Sequence, residues 1–151
     1  MNIIDILVEH PIDVPELNVK GFVDLVAFYD NGEIHVADIK TVGSWAWKYK
    51  YGRIKNGNPS IHQELQLGAY GYAIKEEFGR CDGLSILNYN KDNSDFRRAD
   101  VDIEFINMAY NFWFNVKDRH TRGLPPLSEG ESPVSKWECG YCSYKGVCDA
   151  N

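Results

Sequence analysis

The sequence has no cationic excess: 22 acidic residues stand against 16 lysines and arginines, a formal net charge of −6. That balance argues against a protein that coats nucleic acid by charge alone. It leaves room for clustered carboxylates that hold metal ions and for basic residues confined to one groove, so a DNA substrate stays open. No apolar run approaches the length of a bilayer span, and the opening MNIIDILVEH lacks the basic start and small-residue cleavage site of a secretory signal. A cytoplasmic protein with no membrane partner is expected. Cysteine is scarce: there are four, and three of them crowd into residues 139–148, which favours a metal or cluster site over a disulfide framework. Cys81 stands alone. There is no internal repeat and no low-complexity tract. What is present, 44% hydrophobic and 13% aromatic residues in a chain of 151, suffices for one globular core.

Residues 3–9 and 12–14 are apolar and β-branched around His10-Pro11, and predict one extended strand or two short pieces with no helix signal. Residues 19–29, VKGFVDLVAFY, are apolar on both alternating faces, as a strand inside a sheet should be. Asp30-Asn31-Gly32 then supplies residues that tolerate positive φ, and residues 33–40 resume a strand, so a tight antiparallel hairpin is expected. Residues 41–58 mix tryptophans, glycines and basic residues without a period, and read as an exposed loop outside the core with at most a short helical piece. Pro59-Ser60 followed by Gln63 resembles a capping box, and Ile61, Leu65, Gly68, Ala69, Tyr72 and Ala73 keep helical spacing until Gly79. A short apolar strand at 84–89 would follow, making the helix a right-handed crossover onto the same sheet. Asp102 can cap a second long helix with Ile103, Ile106, Tyr110, Trp113 and Phe114 on one face. The expected fold class is α/β: a central mixed sheet with an antiparallel hairpin, a crossover helix and flanking helices, with residues 1–127 as the core and 128–151 as a cysteine-rich tail packing on it.

Asp24 interrupts an apolar strand, where an unpaired carboxylate is costly unless it meets a cation or a donor. Asp38 and Lys40 lie two apart on the next strand, on one face and about 7 Å apart along the chain. A hairpin would bring Asp24 beside Asp38, giving two hard oxygen ligands of the kind that hold Mg²⁺ or Mn²⁺. Lys40 would sit next to an attacking water. The alternative is two strand-end carboxylates and an ordinary surface ion pair, since a lone D-x-K recurs by chance.

Gly21-Phe22-Val23-Asp24, a hairpin, and Asp38-Ile39-Lys40-Thr41 together resemble the G-x-x-D … (D/E)-x-K core of the PD-(D/E)xK nuclease superfamily. Gln66-Leu67-Gly68-Ala69-Tyr70 looks like the Q-x-x-x-Y motif of RecB-type nucleases within it, and the i, i+4 spacing puts Gln66 and Tyr70 on one helical face. The resemblance implies a restriction-endonuclease-like fold in a prokaryotic or phage-encoded protein. It also implies catalytic Asp24, Asp38, Lys40, Gln66 and Tyr70, and a metal held by Asp24, Asp38 and the Ile39 backbone carbonyl. The triplet Cys139-x2-Cys142-x5-Cys148 resembles the C-terminal cysteines of RecB-type and CRISPR-adaptation nucleases that bind a [4Fe–4S] cluster. Thiolates serve Zn²⁺ equally well, and the fourth ligand is not identified, because the family's upstream cysteine has no counterpart and Cys81 precedes a core strand. The family usually begins with a helical region that supplies a histidine or glutamate to the metal site. Here the residues before Gly21 read as strand, and neither Glu9 nor His10 inherits that role. A shortened member, a fragment, and a domain completed by a partner protein all remain open.

Trp45, Trp47, Lys48, Tyr49, Lys50, Tyr51, Arg53 and Lys55 form the one strongly basic stretch, five residues beyond Lys40. Interleaved rings and cations can stack on unpaired bases and neutralise phosphates, so these residues are expected to bind DNA, single-stranded above all. The plainer reading is a solvated loop with its rings tucked onto the sheet. Arg97 and Arg98 form a weaker basic pair. The leading expectation is a metal-dependent deoxyribonuclease acting from single-stranded ends in recombination, repair or phage DNA processing. The alternatives are a non-catalytic DNA-binding or assembly module, and a cysteine-metal protein whose D-x-K is accidental.

Overall fold

The computed structural model describes residues 1–51, 61–124 and 139–148. Five strands, β1 (Ile3–Val14), β2 (Val19–Tyr29), β3 (Ile34–Val42), β4 (Gly83–Asn90) and β5 (Phe96–Val101), form one sheet in that order. β3 and β4 run parallel, and the other neighbours pair antiparallel. Parallel neighbours cannot be joined by a hairpin, so the chain between β3 and β4 crosses over through α1 (Ser44–Tyr51) and α2 (Ile61–Phe78). α3 (Phe105–Thr121) follows β5, and a single helical turn at Lys145–Cys148 lies in the tail. This is the mixed-sheet α/β architecture expected. The junction at 127–128 between core and tail lies outside the described residues, as do Pro59 and Ser60.

Local chemistry sets the hairpin that carries the motif residues. Of Asp30, Asn31 and Gly32 only Gly32 takes positive φ, at 85°, while Asn31 Oδ1 accepts a bond from the Glu33 N–H. Glycine meets no Cβ penalty there. Val36 of β3, Leu84 and Ile86 of β4, Leu67 and Ile74 of α2 and Ile106 of α3 are all buried in one cluster. Each such side chain contributes about 1.5–3 kcal/mol by leaving water. Asp38 and Lys40 continue the Val36 face of β3, beneath the helices. A Cβ on Gly68 would run into the Phe105 carbonyl and come within 2.9 Å of Ala109 Cβ, so the missing side chain is what lets α2 and α3 approach.

Three expectations need correction. Residues 44–51 form the short helical piece allowed for, but its Trp47 is buried at 9% exposure where a segment outside the core was expected. An eight-residue helix does not hold by propensity. Here the Ser44 N–H donates to Asp92 Oδ2 at 2.6 Å and the Arg97 guanidinium lies over the Trp47 and Tyr51 rings, so the β4–β5 turn and β5 hold it. In α3 the buried residues are Ile106 and Ala109, whereas Ile103 and Phe114 are 41% and 48% exposed. Asp102 accepts from the Glu104 N–H, fixing the turn before α3, and the helix has no side-chain cap of its own. β5 carried no strand signal: FRRADV is an edge strand whose outward charges hide its period.

Candidate active site

The ladder between β2 and β3 runs from Phe28↔Ile34 to Leu25↔Ala37 and stops there. One step further the same register sets Asp24 opposite Asp38. Asp24 takes over from the missing backbone acceptor: its Oδ2 accepts the Ile39 N–H at 2.6 Å. In an extended strand the N–H and C=O of one residue point to the same side, so the Ile39 carbonyl also lies along this open edge of the ladder. The Ile39 side chain points away and is 47% exposed.

Asp38 is 2% exposed. Its Oδ2 lies 2.9 Å from Lys40 Nζ, but at an angle that makes no hydrogen bond, and no other donor among the described residues reaches it. Burial pushes the Asp38 carboxyl above the usual range, the charge of Asp24 pushes it the same way, and Lys40 opposes both. A buried, electron-rich oxygen without an aligned donor, facing a second carboxylate, is what a hard divalent cation neutralises. Asp24, Asp38 and the Ile39 carbonyl therefore fit Mg²⁺ or Mn²⁺. Among the described residues no group of three or more His, Cys, Asp or Glu side chains forms, so water and substrate oxygens would supply the remaining positions.

From Lys40 the hydrogen bonds run on into α2. Lys40 Nζ donates to Gln66 Oε1 at 3.0 Å, and Gln66 Nε2 donates to the Tyr70 hydroxyl at 2.9 Å. The Tyr70 ring packs over Gly21, 3.6 Å from where a Cβ would stand. The three motifs thus meet in one place, from Gly21 and Asp24 through Asp38 and Lys40 to Gln66 and Tyr70.

The aromatic and basic stretch divides in two. Trp45 and Tyr49 are 73% and 43% exposed with ring centroids 4.4 Å apart, and Lys48 is exposed beside them. Trp47 and Tyr51 turn inward under Arg97, so neither ring is free to stack on a base, contrary to the expectation for the stretch as a whole. Lys50 also turns inward: its Nζ donates to Asn88 Oδ1 at 2.9 Å and to Gln63 Oε1 at 3.4 Å. Burial holds the Lys50 ammonium below the usual lysine range; Glu64 opposes that and the charge of Lys40 adds to it. Arg53 and Lys55 lie outside the described residues. The sequence reading missed Asn88 and Gln63. Two asparagines at alternate positions of the apolar run LSILNYN were the available signal, because both, Asn88 and Asn90, are buried.

Among the described residues, no other candidate joins a group of three or more potential metal ligands. His10 Nε2 is 2.9 Å from Glu77 Oε2, and Glu77 sits eleven residues along α2 from Gln66, about 16 Å at the helical rise. Glu9 adopts φ 53° in β1, level with Asp24, and is exposed. A cavity of about 320 Å³, lined by Asp13, Glu16, Glu76 and Glu77 among others, opens beside the far half of α2 and holds none of the motif residues. Cys81 packs against the core, and burial pushes its thiol up to about 11, which does not suit a thiolate ligand. Cys139 and Cys142 are free thiols joined in one turn, the Cys142 N–H donating to the Cys139 carbonyl at 3.3 Å. Among the described residues no helix is long and apolar enough to cross a membrane.

Comparison with known proteins gives the same architecture. No curated protein matches the chain in sequence. Among solved structures, the crystal structure of SSO0001 superposes with a TM-score of 0.50 at 20% identity, over 96% of this chain and 61% of the other. A candidate exonuclease from Eubacterium rectale gives a TM-score of 0.53 at 15% identity, over 96% of this chain and 52% of the other. At such identities the likeness shows the fold, and the chain spans between half and two thirds of the length of those two proteins. The family model of the PD-(D/E)XK nuclease superfamily matches residues 3–149, nearly the whole sequence, and the chain belongs to that superfamily.

Proposed function

We propose that this protein is a metal-dependent deoxyribonuclease that hydrolyses phosphodiester bonds, working from single-stranded ends in recombination, repair or phage DNA processing. One observation carries the reading: the buried Asp38 Oδ2 has no aligned donor, faces Asp24 across the end of the β2–β3 ladder, and lies beside the Lys40 ammonium. Bound there, Mg²⁺ or Mn²⁺ would supply Lewis acidity toward the phosphate and lower the pKa of water. Asp24, Asp38 and the Ile39 carbonyl would hold it. Lys40, paired with Asp38, points donors at the attacking water and the developing phosphorane charge. The water oxygen bonds to phosphorus and gives up a proton to solvent, the P–O bond to the departing nucleotide breaks, and that oxygen takes up a proton from solvent in turn. Gln66 fixes Lys40 from behind, and Gln66 and Tyr70 offer an amide and a phenol to the substrate strand. The outward Trp45–Tyr49 pair and Lys48 suit the stacking and charge of an unpaired strand.

The cysteine triplet is assigned to a [4Fe–4S] cluster or to Zn²⁺, supported by the two unbridged thiols of one turn. A visible absorbance band at roughly 400 nm would mark the cluster, and metal analysis would separate it from zinc.

The test of the main reading is cleavage of labelled single- and double-stranded DNA with Mg²⁺ or Mn²⁺. Wild-type protein should cut, and Asp38→Ala and Lys40→Ala should each lose about 100-fold or more in rate. Cutting that persists undiminished in either variant removes the site from these residues. A second reading, a non-catalytic DNA-binding module completed by a partner chain, is favoured by the presence of only two carboxylates at the site among the described residues. Tight DNA binding with no metal-dependent cutting would select it.

A further inference from the structure

We propose that Lys50, held in place by Asn88, is a built-in ligand for a phosphate of the substrate strand beside the one being cut; the inference rests on the nuclease reading and adds a second anion subsite to it. The starting observation is the contrast between two lysines on one side of the sheet. Lys40 has a carboxylate at 2.9 Å. Lys50 bonds only to neutral amide oxygens, Asn88 Oδ1 and Gln63 Oε1; Glu64 attracts it from a distance but makes no ion pair with it. A half-buried ammonium without a counter-anion is costly, and folding normally avoids it by pairing the charge or letting the side chain reach water.

Here Lys50 stays only partly exposed, and Glu64 attracts it without closing an ion pair. The fold commits a fully buried side chain, Asn88, to fixing the cation. The Asn88 amide nitrogen makes a long hydrogen bond, 3.4 Å to the Ile86 carbonyl, and also faces the Tyr51 hydroxyl, while its oxygen points at Lys50. In register Asn88 stands beside Lys40 on one flank and Arg97 on the other. Arg97 in turn lies 5.1 Å and 5.9 Å from the centroids of the Tyr51 and Trp47 rings, which clamps α1 and keeps Lys50 from swinging out. An ammonium has three donors, and two are used.

The consequence is a pair of mutually repelling cations served by one close carboxylate, Asp38, and by Glu64 at longer range. An anion delivered to that side of the sheet relieves the repulsion and occupies the free donor of Lys50. The anion that phosphodiester hydrolysis brings there is a non-bridging phosphate oxygen of the strand. The fold therefore separates two kinds of DNA recognition on one short helix: Trp45, Lys48 and Tyr49 outside for the trailing strand, and Lys50 inside for a backbone phosphate next to the reacting centre.

The experiment uses the full chain, with Lys50→Met, Lys50→Arg and Asn88→Asp. Asn88→Asp keeps the shape but gives Lys50 a carboxylate, so it should quench the subsite while the lysine remains. Single-turnover cleavage of a labelled oligonucleotide gives the half-saturating concentration and the saturating rate. Binding with Ca²⁺ in place of the catalytic metal gives affinity against salt, and circular dichroism checks folding. Lys50→Met and Asn88→Asp should raise the half-saturating concentration about tenfold or more and reduce the magnitude of the salt slope by about 0.7, the decrement for one fewer phosphate neutralised on a single strand. The loss should fall on half-saturation more than on the saturating rate, and Lys50→Arg should restore most of it. Should Lys50→Met fail to fold, Asn88→Asp carries the test alone. Folded variants with wild-type affinity and salt slope overturn the subsite, while wild-type cutting that is lost in Asp38→Ala leaves the nuclease reading standing. Wild-type protein that binds without cutting, with affinity lost in the variants, supports the subsite and overturns the nuclease reading. Protein that neither binds nor cuts overturns both.

Discussion

At Asp38 a carboxylate sits at 2% exposure with one oxygen lacking an aligned donor, and its proton affinity is raised by burial and by Asp24. The sequence showed which residues to examine, since acids inside apolar strands are conspicuous. It could not show that Asp24 would cap the end of a ladder by accepting the Ile39 N–H, because that depends on where two strands part. Asp82 illustrates a carboxylate with the opposite bias. Its side chain takes two bonds from Arg80 and one from the N–H of buried Ile34; the Arg80 bonds above all hold its carboxyl below the usual range, against an opposing effect of burial that exceeds the Ile34 contribution. A depressed carboxyl stabilises the fold above its unfolded pKa, about 3.9, and that stability is lost as pH falls through the folded value. Asp82→Ala should therefore lower stability at pH 7 by about 1 kcal/mol, the worth of one such bond. In thermal melts the difference from wild type should shrink below the ordinary carboxylate range. A difference that stays constant down to acid pH would remove the ionised Asp82 from the account.

Among the elements, α2 was the most legible and α1 the least. The apolar spacing of α2 is its own signal, and its residues 66–70 carry a motif on one face. Its closeness to α3 depends on Gly68, and Gly68→Ala should cost about 1–3 kcal/mol despite the better helix propensity of alanine, because the new methyl meets backbone. Denaturant unfolding measures this. A neutral or stabilising result would mean that α2 and α3 slide apart without penalty. α1 showed no clear period in the sequence, which left room only for a short helical piece, because its helix is held by Asp92 and Arg97, more than forty residues away. A local pattern carries no information about such partners. β5 escaped for a related reason: as an edge strand it exposes charges where an inner strand would show apolar alternation.

At the scale of the molecule, a cation that binds the folded site and not the unfolded chain must raise the melting temperature by mass action. Millimolar Mg²⁺ or Mn²⁺ should shift the wild-type melt upward by the equivalent of up to about 3 kcal/mol at a hundredfold excess over the dissociation constant. In Asp24→Asn and Asp38→Asn the shift should be small. An equal shift in those variants would place the cation elsewhere. By itself, the sequence determined the order of the first four strands and the crossover, the hairpin with its turn chemistry, and the residue types at positions 21, 24, 38, 40, 66 and 70, because strand period, glycine punctuation and motif spacing are local properties. Only the tertiary structure decided that Lys40 would join Asp38 to Gln66, that Trp47 and Tyr51 would turn away from solvent, and that Lys50 would enter the site on a buried asparagine. Those outcomes follow from side chains of distant strands and helices competing for the same buried volume and the same few donors, and that competition exists only once the sheet has formed.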